Sequence, residues 1–175
     1  MNIKDYPGIS WFYDDERQAL VDLIPKNGTF LEIGTWTGTT AAWLADRRPD
    51  INIVCIDTFG GPSCGNQATT NETILTWFKN RRPNMYLWVG DLRTFPSGLI
   101  YDVILIDGDH SAEAVYADFR AAHDRLSNAG GFILAHDYHS DEHPGVKAGI
   151  GKAMALYQGY VIRRRWTTMI QIVKE

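Results

Sequence analysis

Phe30-Leu31-Glu32-Ile33-Gly34-Thr35-Trp36-Thr37-Gly38-Thr39-Thr40 runs from an apolar, β-prone segment through two glycines into a segment, Thr39 to Arg47, that can be helical. A strand, a tight turn and a helix in such quick succession form the opening unit of a doubly wound α/β sheet. At Gly34 and Gly38 a side chain would hold a ligand off the backbone, or the helix off the strand. The helix N-terminus turns free N–H groups and partial positive charge toward whatever fills the crevice. The dinucleotide fingerprint is G-x-G-x-x-G, but this chain has E-x-G-x-x-x-G, with Glu32 two residues before the first glycine. A carboxylate beside the ligand is a poor neighbour for a pyrophosphate and a good one for an ammonium or sulfonium group. A glycine turn with no ligand is the plainer alternative.

Length and composition bound the rest. The 175 residues suit a single domain with a sizeable core, read as an N-terminal helical cap over 1–28 and a core over 29–175. Apolar content of 45% and charged content of 22% are those of a soluble globule. No apolar run approaches the ~20 residues of a membrane helix, and Met1-Asn2-Ile3-Lys4-Asp5 has no signal-peptide core. A net charge of −4 argues against a general nucleic-acid surface. Cys55 and Cys64 make neither a disulfide framework nor a zinc site, so the reducing cytoplasm is the expectation.

The chain then reads in order. Trp11-Phe12-Tyr13 precede a helix capped by Asp14, with an acidic first turn, Leu20, Leu23 and Ile24 as its buried side and Pro25 as its stop. The aromatic triplet packs this helix on the sheet or lines a substrate site. Ile51 to Ile56 is a second strand, closed by Asp57. That position, about 25 residues on from Glu32, suits an acid that accepts hydrogen bonds from ribose hydroxyls, the usual interval being ~20; a loop cap is the alternative. Gly60-Gly61-Pro62-Ser63-Cys64-Gly65-Asn66 is a turn-rich loop, either a lid or an idle surface segment. Asn71 to Arg82 reads as a helix with Ile74, Leu75 and Phe78 apolar, and Met85 to Val89 as a third strand followed by Asp91 and Leu92.

Tyr101 to Ile106, a nearly continuous apolar run, is a buried parallel strand that delivers Asp107-Gly108-Asp109-His110. A helix capped by Ser111 buries Val115, Phe119, Ala122 and Leu126. Phe132 to Ala135 is the fifth strand and delivers His136-Asp137-Tyr138-His139. Ligands of open α/β sheets bind outside the carboxyl ends of the strands, so both deliveries face the crevice of Gly34. His110, His136, His139 and His143, with Asp107, Asp109 and Asp137, form a titratable cluster suited to a metal or to proton transfer; His123 is read as a solvated side chain. A last helix follows Val146, Ile150, Met154 and Tyr157, and Tyr160 to Arg164 and Thr167 to Val173 close the sheet. The members of Arg163-Arg164-Arg165 should alternate faces on a solvated edge strand.

From Glu32 onward the chain resembles the class I S-adenosylmethionine (SAM)-dependent methyltransferases. Ile106-Asp107-Gly108-Asp109-His110-Ser111 and Leu134-Ala135-His136-Asp137-Tyr138 are similar to segments of short enzymes related to the metal-assisted, catechol-type O-methyltransferases. The resemblance implies a Rossmann-like, doubly wound sheet of seven mostly parallel strands with an antiparallel C-terminal pair and helices on both faces. It implies cofactor contacts at Glu32, Gly34, Thr35, Gly38, Asp57, Thr58, Asp91, Leu92 and Asp107. Asp91 would sit near the adenine, and Leu92 would offer it a backbone N–H. It places a divalent cation, Mg²⁺ or Mn²⁺, at Asp107 and Asp137. The third ligand of the family is commonly an acid or amide next to Asp137, where this chain has His136, so that the metal ligands read here are Asp107, His136 and Asp137.

Methyl transfer to oxygen needs a deprotonated hydroxyl held in line, which a cation on carboxylates can supply. A histidine, with an unperturbed pKa of about 6.5, can take the proton beside or instead of the metal; His110 is the first choice and His139 the second, with Asp107 the third residue read as catalytic. Three functions follow: a metal-assisted O-methyltransferase on a small hydroxylated molecule, a metal-independent methyltransferase acting on oxygen or nitrogen through a histidine base, and a SAM-binding module without catalysis. The partners expected are a small-molecule acceptor and a second copy in a homodimer, with neither nucleic acid nor membrane.

Overall fold

Thr29–Ile33 forms β1, which pairs in parallel with β2 (Asn52–Asp57) on one side and β4 (Val103–Ile106) on the other. The computed structural model describes residues 2–60, 67–96 and 98–175. Three further strands, β3 (Met85–Val89), β5 (Phe132–Ala135) and β6 (Tyr160–Arg165), join β7 (Ile170–Lys174) to complete a seven-stranded sheet of order β3-β2-β1-β4-β5-β7-β6. β7 runs antiparallel to both β5 and β6, so the expected doubly wound sheet with an antiparallel C-terminal pair is what the chain adopts. The strand order turns back between β1 and β4. Such a switch point leaves a crevice at the carboxyl ends of the two strands, because their following segments leave toward opposite faces.

Side-chain alternation divides the core into two layers. Phe30, Ile53, Cys55, Val103, Leu105, Phe132 and Leu134 face one way, toward α1 (Asp14–Leu23), α2 (Thr39–Arg47) and Trp77 of α3 (Gln67–Asn80). Leu31, Ile33, Ile56, Ile104, Ile106, Ile133, Ile170 and Ile172 face the other way, toward α4 (Ala112–His123) and α5 (Pro144–Leu156). Both faces of the central strands β1, β4 and β5 are therefore covered, which is why β4 and β5 are continuous apolar runs.

Several local expectations change. The N-cap of α1 is Tyr13 rather than Asp14; the Tyr13 N–H donates to the carboxylate of Glu16 (2.9 Å), which is turned inward. Of the aromatic triplet only Phe12 is buried, Trp11 and Tyr13 being 69% and 53% exposed. α3 starts earlier than Asn71 and buries Thr73, Trp77 and Asn80, leaving Leu75 and Phe78 exposed. The polar Asn80 is inside because its amide donates to the carbonyls of Pro7 and Thr37, both at 2.8 Å. His123 is half-buried, not solvated, with Nδ1 2.8 Å from the Tyr160 hydroxyl. β6 is the edge strand and Arg163, Arg164 and Arg165 are all exposed, but a register shift between Ile162 and Arg164 interrupts their alternation. Residues 61–66 of the glycine-rich loop, Cys64 among them, lie outside the described residues. Among the described residues no helix is long and apolar enough to cross a membrane.

Candidate active site at the carboxyl ends of the strands

The glycine turn is made by close approach. Gly34 has φ +89°, and a Cβ there would lie 2.1 Å from the Asp107 carbonyl oxygen, so the turn after β1 rests directly on the end of β4. Gly38, at φ +70°, is the N-cap of α2, and a Cβ would meet the Trp77 indole at 2.6 Å. Both positions combine a left-handed backbone with no room for a side chain. Asp57, at the end of β2, accepts the Trp36 N–H on Oδ2 and the Phe59 N–H on Oδ1, each at 2.7 Å. It thereby ties the turn to the neighbouring strand.

Over this turn opens a cavity of about 1480 Å³, larger than the 300–1,000 Å³ of an ordinary small-molecule pocket and so able to admit two ligands side by side. It is lined by Glu32, Gly34, Thr35, Asp57, Thr58, Asp91, Leu92 and Asp107. Of the residues expected to touch a cofactor, Gly38 alone does not line it; it supports the turn from behind. Glu32 is 3% exposed, and its Oε2 has no hydrogen-bond partner among the described residues. Burial pushes its pKa up to about 8, with Asp107 and Asp57 adding to the effect and Thr35 opposing it. Burial likewise raises Asp57 against the two N–H groups it accepts. Asp91 is already bonded to Arg93, accepting from its backbone N–H and from Nε at 2.7 Å. Asp118 of α4 also lines the cavity; burial, with Asp91 and Asp109 nearby, brings its pKa to about 7 against the pull of Arg93.

The other half of the cavity holds a linked set of acids and imidazoles. His136, 2% exposed, places Nδ1 3.1 Å from Asp107 Oδ1 and 3.3 Å from Asp137 Oδ2, and Nε2 3.2 Å from Glu16 Oε2. Phe12 stacks on its ring at 4.0 Å. Burial works against the charge, but Asp107, Asp137 and Glu16 outweigh it and push the pKa up to about 12. Glu16 is fully buried. Despite burial, His136 and the N–H and hydroxyl groups of Tyr13 and Thr168 bring it down to about 2. Its Oε1 accepts from Thr168 N (2.6 Å), Thr168 Oγ1 (2.7 Å) and Met169 N (2.9 Å). One carboxylate thus joins α1, the end of β5 and the turn before β7. Asp107, though burial opposes its charge, is held below the ordinary carboxylate range by His136 and His110.

His110 Nε2 lies 3.4 Å from Asp137 Oδ2 and 3.8 Å from Asp107 Oδ1. The His143 ring is 4.0 Å from that of His110. His139 is exposed on the same cavity's wall, its backbone N–H bonded to the Thr168 carbonyl. Burial, with Arg165 and Lys147, lowers its pKa. Of the four histidines, then, three converge on the two aspartates and His139 stands apart.

Asp107, His136 and Asp137 bring their ligand atoms within 4.8 Å of one another, as do His110, Asp137 and His143. An imidazole binds a metal through a lone pair, whereas both nitrogens of His136 face carboxylates and donate to them. The set therefore fits a divalent cation through its carboxylates, with His136 behind them as hydrogen-bond donor. Sequence reasoning did not find Glu16 or Asp118. Glu16 has the signature of any acid in a helix's first turn, and nothing in a single chain distinguishes one that is turned inward.

A family profile described as "Methyltransferase domain" matches residues 31–138. No curated protein matches the sequence. Solved structures do. A candidate O-methyltransferase from Klebsiella pneumoniae is 18% identical with a TM-score of 0.67, over 97% of this chain and 83% of that one. The O-methyltransferase from Bacillus cereus, solved with SAH, is 16% identical with a TM-score of 0.66, over 97% and 84%. A candidate caffeoyl-CoA O-methyltransferase from Staphylococcus aureus is 18% identical with a TM-score of 0.65, over 99% and 88%. Likeness at this identity concerns the fold.

Proposed function

The chain belongs to the methyltransferase-domain family, and from that premise we propose that it moves the methyl group of SAM to the oxygen of a small hydroxylated acceptor, assisted by a divalent cation. The observation that carries the reading is the row of carboxyl groups at the ends of three neighbouring strands, Asp57, Glu32 and Asp107, facing one cavity, with a buried Glu32 oxygen that lacks a hydrogen-bond partner among the described residues. Asp57 and Asp107 carry charge, and burial with these two neighbours raises Glu32 to about 8, so it ionises readily beside an arriving cation; such a wall favours a cationic nucleoside over a pyrophosphate. Structures of the same fold named as O-methyltransferases, one holding SAH, support the choice of cofactor and of oxygen as acceptor.

SAM supplies an electrophilic methyl on sulfur, and a divalent cation would lower the pKa of the acceptor hydroxyl and orient it. In this division of labour Glu32 receives the ammonium of the methionine part, Asp57 the ribose hydroxyls, and the Asp91–Leu92 turn the adenine. Asp107 and Asp137 hold the cation. His136 donates Nδ1–H to Asp107 and lies 3.3 Å from Asp137, holding both in place, as outer-shell partners of metal ligands do. Trp11 and Tyr13, exposed at the mouth, offer apolar surface to the acceptor.

A second reading is favoured by His110, whose Nε2 makes no hydrogen bond among the described residues. There Asp107 and Asp137 hold the Nε2 side of His110, its Nδ1 takes the acceptor proton, and no cation is needed; His139 is the next choice of base. Calorimetry with SAM, SAH and NAD, followed by turnover of labelled SAM on a panel of hydroxylated acceptors with and without EDTA, separates these outcomes. Binding of SAM and SAH but not NAD, with EDTA-sensitive turnover, is expected. Turnover in excess EDTA moves the proton transfer to histidine, SAM binding without turnover leaves a non-catalytic module, and failure to bind SAM refutes the reading.

A further inference from the structure

Resting on the metal-assisted reading, we propose that the cation is held by imidazole nitrogen as well as carboxylate oxygen. His110 and His143 join Asp137, with Asp107 beside them, in a site that selects a transition metal over Mg²⁺ or Ca²⁺.

Three observations carry this. First, His110, Asp137 and His143 each present a ligand atom within 4.8 Å of the other two. Four ligands about 2.1 Å from a tetrahedral ion stand about 3.4 Å apart, the separation between His110 Nε2 and Asp137 Oδ2. Second, that Nε2 is a buried atom without a hydrogen-bond partner among the described residues. The two carboxylates lie 3.4 and 3.8 Å away and pair with it while the imidazole is protonated; a neutral imidazole there presents a buried lone pair that a cation can take. Third, the packing of the two helices forces the histidines together. His110 lies just before Ser111, the N-cap of α4, and His143 is the N-cap of α5. Gly145 lies so close that a Cβ would be 2.3 Å from the His110 carbonyl oxygen, and one at Gly149 would be 2.6 Å from that of Ala112. Glycine at two positions one turn apart lets α5 rest on the first turn of α4. The imidazole rings consequently lie 4.0 Å apart, tilted by 30°, beside Asp137.

His136 is left out of the ligand set because both of its nitrogens are used in hydrogen bonds, Nδ1 with Asp107 at 3.1 Å and Nε2 with Glu16 at 3.2 Å. It supports the aspartates from behind. With two imidazoles and two carboxylates the donor set is mixed. Imidazole suits zinc, iron, nickel and copper, and carboxylate suits Mg²⁺, Ca²⁺ and Mn²⁺. Mg²⁺, which prefers oxygen and retains its water, gains little from the two nitrogens.

The test is a titration of chelator-stripped protein with Co²⁺, read by visible absorption and by calorimetry, in the wild type and in His110→Ala, His143→Ala, Asp107→Asn and Asp137→Asn. SAH binding reports that the two histidine variants and Asp137→Asn are folded, and circular dichroism with a cooperative urea transition reports it for Asp107→Asn, whose side chain faces the cofactor. One equivalent of Co²⁺ is expected, with the absorption of a nitrogen-ligated ion that excess Mg²⁺ does not displace. Each histidine variant should bind it at least about tenfold more weakly, since even outer-shell changes weaken a metal 10–100-fold. Binding that survives unchanged in both histidine variants and disappears in the aspartate variants would overturn nitrogen ligation and leave the metal-assisted reading in place. A wild type that binds SAH and Mg²⁺ but no Co²⁺, Zn²⁺ or Mn²⁺ would overturn nitrogen ligation alone, and one that binds SAH but none of the four ions would overturn both.

Discussion

Glu16→Gln keeps the size of the side chain and removes its charge. In the wild type this carboxylate is fully buried, pairs with His136 at 3.2 Å and accepts N–H and O–H groups from Tyr13, Thr168 and Met169 at 2.6–2.9 Å. A carboxyl whose pKa falls from 4.5 to about 2 on folding contributes about 3 kcal/mol of stability at neutral pH. Breaking one partner of a buried ion pair costs about 3–5 kcal/mol by independent measure, so the two routes agree on the lower figure. For a chain of this length about 3 kcal/mol lowers the melting temperature by roughly 6–12 °C. The sign of the pH dependence follows from the lowered pKa. The contribution is complete above about pH 4.5 and is lost as the pH falls toward 2, so wild type and variant should converge over that window. Urea unfolding at pH 7 and at intervals below pH 4.5 measures both effects, with exposed Glu113→Gln as the reference substitution. A loss below about 1 kcal/mol at pH 7, or a gap that does not narrow in acid, would refute the buried pair as a source of stability.

Asp57→Ala should weaken SAM binding about ten- to a hundred-fold, the worth of charge-assisted hydrogen bonds of about 1.5–3 kcal/mol; unchanged affinity in calorimetry would remove Asp57 from the cofactor site. Gly145→Ala introduces a Cβ 2.3 Å from the His110 carbonyl and should destabilise by about 1–3 kcal/mol through overpacking, while weakening Co²⁺ binding although it alters no ligand. Equal Co²⁺ titrations of variant and wild type would show that helix approach does not set the histidines. EDTA should stop turnover while SAH still raises the melting temperature, because the predicted cofactor contacts lie mainly on the β1, β2 and β3 side; loss of SAH stabilisation would place the ion in the cofactor site. Trp77→Ala, removing a side chain 1% exposed that packs over Gly38, should cost about 3–5 kcal/mol in urea unfolding.

The fold was legible because its signals are local and periodic. Unbroken apolar runs at Val103–Ile106 and Phe132–Ala135, and the run Thr29–Ile33 interrupted by Glu32, mark strands covered on both faces, and Ser111 marks where a helix begins. α3 was misread for an equally local reason. Leu75 and Phe78 advertise an apolar face, yet Trp77 and Asn80 bury because Gly38 and the carbonyls of Pro7 and Thr37 wait for them. No periodicity records a partner that is distant in sequence.

The same boundary runs through the site. E-x-G-x-x-x-G, Asp57 and the paired deliveries after the fourth and fifth strands sit where strand ends put them, and strand ends are set by residues a few positions away. The sequence alone therefore determined which acids and histidines meet at the carboxyl edge of the sheet. What each does there was decided by the tertiary structure. Glu16 reaches His136 from 120 residues away and makes it a donor, and Gly145 brings His143 against His110. Charge state and ligand geometry depend on distances of 3–4 Å between groups far apart in the chain, and only the packing of α1, α4 and α5 around the sheet sets those distances.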